Sequence, residues 1–508
     1  MQNNRMLPAP PPPAHSRLNL IKWTLGCTGL GMLTFTGLTM VALIVTPIVF
    51  RSLDPEIQYK IVKRLPFMAS FQPTQPYKYL PTIAATNANA IALLSTPLST
   101  RPPGRVAVIS AQSSGQAVGL AAGGQGGALP TESTQTPQDN HLPTPILATV
   151  TPLLGPVDAN PTPVIGETPQ PTPTYVPTPT NIPVPRSFHS TNFHLVSQDW
   201  NSCGPANLTQ ALQYYGWKGD QKEAQAYLKP NREDRNVSPW QMVDFVNYKT
   251  GVKALWRVAG DMELVKKLVS QRFAVILEAG YDVPGQGWMG HYATITGYDD
   301  DSSVLYWLDT NQSDPNTAGV REKMADFDAR WQQFNRLYIV VYSKDREGEL
   351  AGILGPDADL TYNAHHALSV ARTEASAHPN NQYAWFNVGS SYTLLGQYKE
   401  AAYAFDQASS VGSGLPFRIL WYQFTPYEAY YNVGNYSQVI ALTQTSSAYV
   451  EETFYWRGLA EAALGKTAQA IEDFRRALKF NPNFTLAADK LAQVQNGNYT
   501  PPIVAQAK

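Results

Sequence analysis

At 508 residues, with 38 Lys and Arg against 39 Asp and Glu and a formal net charge of −1, the chain lacks the basic surplus that tracks a phosphate backbone, so nucleic acid is excluded as an expected partner. The length suits two or three domains. Most of the 41 prolines precede Arg186, whereas every tryptophan but Trp23 follows Asp199, so a first third without a packed core should precede folded structure.

From the amino end, residues 1–22 read as a short cytoplasmic tail and 23–50 as a transmembrane helix, because Trp23 to Phe50 carries no ionisable side chain except Cys27 and exceeds the ~20 residues that cross a bilayer. A cleavable signal peptide would have a shorter apolar core and a small-residue cleavage site, which this run lacks before Arg51. Leu25-Gly26-Cys27 is not read as a lipidation site, since the apolar stretch follows the cysteine. Residues 51–187 are expected to form a disordered Pro/Thr-rich linker, with the Pro-Thr repetition of Pro143 to Pro185 favouring solvated polyproline II. Arg5, Arg17 and Lys22 precede the span and Arg51, Lys60, Lys63 and Arg64 follow it, so flanking charge gives no orientation. The stalk character places the carboxy-terminal bulk outside the cell, giving an expected single-pass, extracytoplasmic arrangement.

Chemistry is concentrated in residues 188–347. With only Cys27 and Cys203 in the chain, no internal disulfide is expected, and Cys203 is the one thiol of the folded region. It opens an apolar pattern at helical spacing, Leu208, Ala211, Leu212 and Tyr215, which Gly216 ends. A helix amino terminus favours a thiolate over a thiol through its unpaired N–H groups and macrodipole. Five residues upstream, the Gln198 amide is placed to donate to an oxyanion. Phe273 to Gly280 reads as a buried strand, followed by the Gly-rich loop of DVPGQGWMG and a strand from Tyr292 to Tyr298 with His291 at its beginning. A hairpin partner, VLYWLDTNQ, ends its apolar run at Asp309. If the two strands pair antiparallel, His291 and Asp309 lie side by side, as a base and its orienting acid must.

Gln198, then Cys203-Gly-Pro-Ala at a helix start, then Gly-His291, then a strand ending in Asp309 resembles the papain-like peptidases whose best-known members are the leader-peptidase domains of bacteriocin exporters, and especially their stand-alone, C39-like relatives. The resemblance implies an α+β papain-like fold with Cys203 as nucleophile, His291 as general base, Asp309 as orienter of the imidazole and Gln198 as oxyanion donor. Two departures stand out. Asp309-Thr310 replaces the usual Asp-Pro, leaving Asn311 as a substitute orienter, and no transporter module follows that would carry over a double-glycine substrate. The remaining histidines have no metal-ligand spacing, so neither metal nor cofactor is expected. Two rival readings are a catalytically inactive, peptide-binding surface scaffold and a thiol acyltransferase in which an amine resolves the thioester.

In residues 361–496, Trp385, Gly389, Gly396, Phe405 and Ala408 recur at an offset of 69 as Phe454, Gly458, Gly465, Phe474 and Ala477, about twice the ~34-residue tetratricopeptide period. A degenerate copy around Tyr430, Gly434 and Val439 lies between them. An all-α tetratricopeptide solenoid is expected, flanked by helices over 364–377 and 484–495, with a protein partner on its surface ahead of a role as spacer or docked lid. The overall class is therefore multidomain: anchor, stalk, peptidase domain and repeats.

Overall fold

The computed structural model describes residues 45–72, 79–81, 92–94, 183–284, 286–311, 319–446 and 449–502. These all fall in one compact unit formed by Met1–Ala111 and Pro177–Lys508; the second unit, Gln112–Val176, lies outside them. Most of the expected span, residues 23–44, and most of the expected stalk also lie outside the described residues. Among the described residues no helix is long and apolar enough to cross a membrane. Residues 45–52 are helical.

The structure departs from the linker expectation over the first residues after the apolar run. Helix α1 (Pro55–Arg64) is capped by the Asp54 side chain, which accepts from the Glu56 N–H, has proline in its first turn, and leads into a 3₁₀ turn at Pro66–Phe71. Gln58 and Val62 are buried on α1, and Tyr59 packs on Trp200 with ring centroids 5.6 Å apart. Farther along, Leu80 N–H donates to the Leu415 carbonyl.

Residues 187–354 form a seven-stranded antiparallel sheet with helices. Its elements are β1 (Ser187–His189), α2 (Cys203–Tyr214), α3 (Gln221–Leu228), α4 (Pro239–Lys249), β2 (Lys253–Arg257), α5 (Met262–Ser270), β3 (Ala274–Val283), β4 (Gly287–Asp299), β5 (Val304–Leu308), β6 (Val320–Lys323), α6 (Met324–Trp331), β7 (Tyr338–Tyr342) and α7 (Glu347–Leu354). Strand order is β2-β7-β3-β4-β5-β6, with β1 pairing β4. The near-continuous apolar run of β3 follows from burial on both faces. Leu268, Val275, Leu277 and Trp331 fill one side, while Leu208, Leu212, Val246, Ile276 and Ile339 fill the other, under α2 and α4.

His291 is not at the start of a strand. β3 and β4 continue as a ladder to Val283↔Gly287, so most of the stretch read as a Gly-rich loop is strand. Gly280 and Gly290 face each other in that ladder, and both are glycine because neighbours occupy the space of a side chain. A Cβ on Gly290 would lie 2.6 Å from Phe334 Cζ and 2.9 Å from Tyr422 Cδ1. These glycines serve close packing across the sheet instead of a turn.

Helix α8 (Leu360–Ala377) precedes three helix pairs: α9 (Gln382–Leu394) with α10 (Tyr398–Ser410), α11 (Thr425–Asn432) with α12 (Tyr436–Thr445), and α13 (Glu451–Ala463) with α14 (Thr467–Phe480). Helix α15 (Thr485–Gln495) closes the stack. Close approach within the outer pairs is set by glycine: a Cβ on Gly389 would sit 2.6 Å from the Phe405 ring, and one on Gly458 3.0 Å from Phe474. The helix pairs dock on the sheet and its helices. Ser238 Oγ donates to Glu452 at 2.7 Å, Gln241 Nε2 to Glu451 at 2.8 Å, Asn387 Nδ2 to the Gln332 carbonyl at 2.7 Å, and Arg336 pairs with Glu374 at 2.6 Å.

Candidate active site

Cys203 is the first residue of α2, and the helix is pinned to β4 by buried polar side chains one and two turns on. Asn207 Nδ2 donates to the Tyr292 carbonyl at 2.9 Å, Gln210 Nε2 to Thr294 Oγ1 at 3.0 Å, and Thr294 Oγ1 to Asn207 Oδ1 at 2.7 Å. Since positions 203, 207 and 210 share one face of a helix, these bonds fix Cys203 against the strand that carries His291. Gln210 Oε1 also accepts from the Val196 N–H at 2.9 Å, tying down the segment that carries Gln198.

Register brings in the acid. β5 pairs β4 as far as Thr294↔Leu308, so the next residue, Asp309, emerges beside His291, whose Nε2 lies 3.1 Å from Asp309 Oδ1. The other ring nitrogen, Nδ1, is left for the thiol, and each group stabilises the charged form of the other. Asn311 contributes through its backbone, donating its N–H to Asp309 Oδ1 at 2.9 Å, so Asp309 is the carboxylate at the imidazole. The rings of Tyr281 and Trp307, 5.9 and 6.5 Å away by ring centroid and steeply inclined to it, confine the His291 ring.

Charge follows from these contacts. Burial favours neutral forms, but for His291 the hydrogen bonds and charges of Asp309 and Cys203 outweigh it and push the imidazole up to about 10. Burial likewise works to raise the Cys203 thiol, yet the hydrogen bond and charge of His291, together with the backbone N–H groups of Tyr292 and Gly204, hold it below its ordinary value. For Asp309, the hydrogen bond and charge of His291 overcome burial and keep the carboxyl below the usual range.

Gln198 lies in the same cleft, held by two bonds to one residue. Its N–H donates to the Thr310 carbonyl at 2.8 Å, and its Oε1 accepts from Thr310 Oγ1 at 2.7 Å. With the amide oxygen engaged, the amide nitrogen is the atom left to donate into the cleft. The departure at Thr310 thus has a structural consequence, because proline there would have no hydroxyl to offer.

The cleft, about 350 Å³, holds Gln198, Cys203, His291 and Asp309 and is also walled by residues that pattern reading did not reach. Glu56, Tyr59 and Lys60 come from α1, and Tyr422 comes from the segment between the first two helix pairs of the repeats. Their sequence neighbourhoods carry no signal because the contacts are long-range. Glu278, buried on β3 beside the pair, had a signal in the lone acid of FAVILEAG. Burial, and then the charge of Cys203, raise its carboxyl well above the ordinary range. Among the described residues no group of His, Cys, Asp or Glu is placed to hold a metal ion.

Residues 190–339 match the Peptidase_C39 like family, and residues 451–484 match the tetratricopeptide repeat. The chain therefore carries a C39-like peptidase domain followed by tetratricopeptide repeats. Among solved structures, it is similar to a putative C39-like peptidase from Bacillus anthracis, with 15% identity, a TM-score of 0.26, and coverage of 31% of this chain and 98% of that one. It is also similar to the peptidase domain of Streptococcus ComA, described as a bifunctional ABC transporter of a quorum-sensing pathway, with 18% identity, a TM-score of 0.24, and coverage of 30% and 99%. No curated protein matches the chain.

Proposed function

We propose that the protein is a cysteine peptidase that cleaves a peptide or protein through a thioester at Cys203. The observation that carries this reading is the line of Cys203 at a helix amino terminus, His291 against it, and Asp309 3.1 Å from the far ring nitrogen. The Cys203 thiolate attacks the carbonyl carbon of the scissile bond, and the resulting oxyanion accepts from the Gln198 amide and the Cys203 backbone N–H. The His291 imidazolium gives its proton to the leaving nitrogen as the C–N bond breaks. Water then attacks the thioester carbonyl, neutral His291 takes the water proton, and the C–S bond breaks to restore thiolate and imidazolium. Asp309 holds the ring in the tautomer and orientation that both proton transfers need.

In this reading the apolar run 23–50 anchors the chain and residues after Arg51 lie outside the cell, which the length of that run and the Pro-Thr stalk support. The repeats are read as a protein-binding surface that also closes the peptidase cleft. The test is labelling of the full chain with a peptide vinyl sulfone, followed by mass spectrometry of the modified residue. Labelling at Cys203 that depends on His291 supports the peptidase. A Cys203 inert to the probe in a folded chain supports the scaffold reading, and amide products formed when an amine is added to cleavage assays support acyl transfer.

A further inference from the structure

Next to the catalytic cleft is a second chamber of about 490 Å³ that shares Tyr59, Trp200, Arg235, Gln286 and Met289 with it. Two guanidiniums line it, Arg235 from the loop before α4 and Arg418 from the 3₁₀ turn Phe417–Trp421 in the repeats. No carboxylate lines this chamber among the described residues. The acids of the neighbouring cleft are largely committed: Glu56 to Arg232 and Lys60, Asp199 to Lys222, and Asp309 to His291. Asp282, at the rim of that cleft, is exposed.

The two arginines bond to neutral acceptors. Arg235 donates to Asn201 Oδ1 at 3.3 Å, and Arg418 to the carbonyls of Gln286 and, at 3.4 Å, Trp288. Both Nε atoms are buried and have no hydrogen-bond partner. Aromatic faces take the place of counter-ions: Arg235 lies 5.2, 5.7 and 5.1 Å from the rings of Trp200, Trp421 and Tyr449, and Arg418 lies 5.2 Å from Trp421. Glu233 and Asp234, next to Arg235 in the chain, reach it through charge, while the side-chain atom it donates to is Asn201 Oδ1. Two partly buried guanidiniums that repel each other and hydrogen-bond no anion are costly to keep, and arginine stays charged in proteins. An incoming carboxylate relieves that cost and finds a planar, donor-rich partner.

We infer that the chamber is a specificity subsite that takes a carboxylate of the peptide cut at Cys203, held between Arg235 of the peptidase domain and Arg418 of the repeats. The inference rests on the peptidase reading for its ligand, a peptide, and gives the repeats a direct part in choosing the substrate. Arg235 and Arg418 act on binding and touch none of the reacting atoms.

The test uses the full chain with Cys203→Ala, so that binding is measured without turnover. Three fluorescein-labelled, alanine-based octapeptides are compared by anisotropy at low salt: a reference with glutamine and an amidated end, one with glutamate replacing glutamine and an amidated end, and one with glutamine and a free carboxyl end. At least one acidic probe should bind about tenfold more tightly than the neutral one. Whichever does so identifies the carboxylate as a side chain or a chain terminus. Arg235→Gln and Arg418→Gln should each bring that probe to the neutral level, and added salt should narrow the difference. Equal or undetectable binding of all three probes overturns the inference, as does a preference that survives both substitutions. Where either substitution unfolds the chain, the wild-type arginines with both acidic probes against the amidated glutamine probe decide alone. Iodoacetamide labelling of the wild-type chain, compared with His291→Ala, tests the peptidase reading separately, so an ordinary thiol with intact acid preference condemns the mechanism and leaves the subsite standing.

Discussion

Thr310→Val removes one hydroxyl and keeps the shape of the side chain, and its consequence can be worked out from the bonds at Gln198. Two interactions hold that residue: the backbone bond to the Thr310 carbonyl, which valine retains, and the 2.7 Å bond from Thr310 Oγ1 to Gln198 Oε1, which it removes. A neutral intramolecular hydrogen bond is worth about 1 kcal/mol net, so the amide should lose that much preference for the orientation that aims its nitrogen into the cleft. If the oxyanion is held by that nitrogen, kcat should fall by ~5-fold, since 1.36 kcal/mol is a factor of ten. Gln198→Ala, which removes the donor altogether, should cost roughly 10²-fold. Neither substitution touches the thiol or imidazole, so the rate of Cys203 alkylation should stay at the wild-type value in both. The assay is steady-state cleavage of a peptide substrate alongside iodoacetamide labelling at the same pH. Thr310→Val with wild-type turnover while Gln198→Ala loses 10²-fold would refute the positioning argument; wild-type turnover in both would refute Gln198 as oxyanion donor.

Gly290→Ala places a methyl 2.6 Å from Phe334 and 2.9 Å from Tyr422, and overpacking of this kind costs about 1–3 kcal/mol, so the melting temperature should fall and turnover with it as the wall formed by Tyr422 shifts. Glu428, on α11, is pushed up to about 8 by burial from an ordinary 4.5, so its neutral form is the one the fold favours. Its penalty is absent below its unfolded value and grows as pH rises from about 4.5 to about 8; Glu428→Gln should therefore leave stability near pH 4 little changed and raise it at pH 8 and above, as read by urea titration. Tyr59→Ala removes the α1 ring that packs on Trp200 at the cleft, and should change the labelling rate of a peptide vinyl sulfone while leaving that of iodoacetamide unchanged; equal effects on both would mean that α1 does not contact the peptide.

Local patterns carried the site further than they carried its surroundings. The helix from Cys203, the apolar strands and the acid at Asp309 are written in periodicity and turn chemistry, and antiparallel pairing then brings His291 and Asp309 together without further information. The reach of β3 and β4 was hidden because glycines that admit Phe334 and Tyr422 look in sequence like glycines of a loop. Tyr59 at the cleft was hidden for a different reason. Ten residues of α1 after a long apolar run are too few to show a core of their own, and what orders them is contact with Trp200 and Arg232, far away in the chain. Likewise the repeat glycines gave the helix pairs, but nothing in a repeat pattern says that the segment between two pairs, Phe417 to Tyr422, faces a cysteine two hundred residues earlier.

The mechanism depends on a thiolate–imidazolium pair between Cys203 and His291, and the pH dependence of Cys203 alkylation in the full chain reads that pair. His291 is raised to about 10, so the pair should hold up to about that pH; the lowered thiol should break it only as pH falls through its own depressed value. Alkylation of the wild-type chain should accordingly stay fast in mild acid, well below the ~8.5 of a free cysteine. In His291→Ala the rate should rise only as pH approaches the value of a thiol left with the helix amino terminus and the N–H groups of Tyr292 and Gly204. A wild-type profile that follows an ordinary thiol and is identical in His291→Ala would contradict the pair and with it the peptidase mechanism.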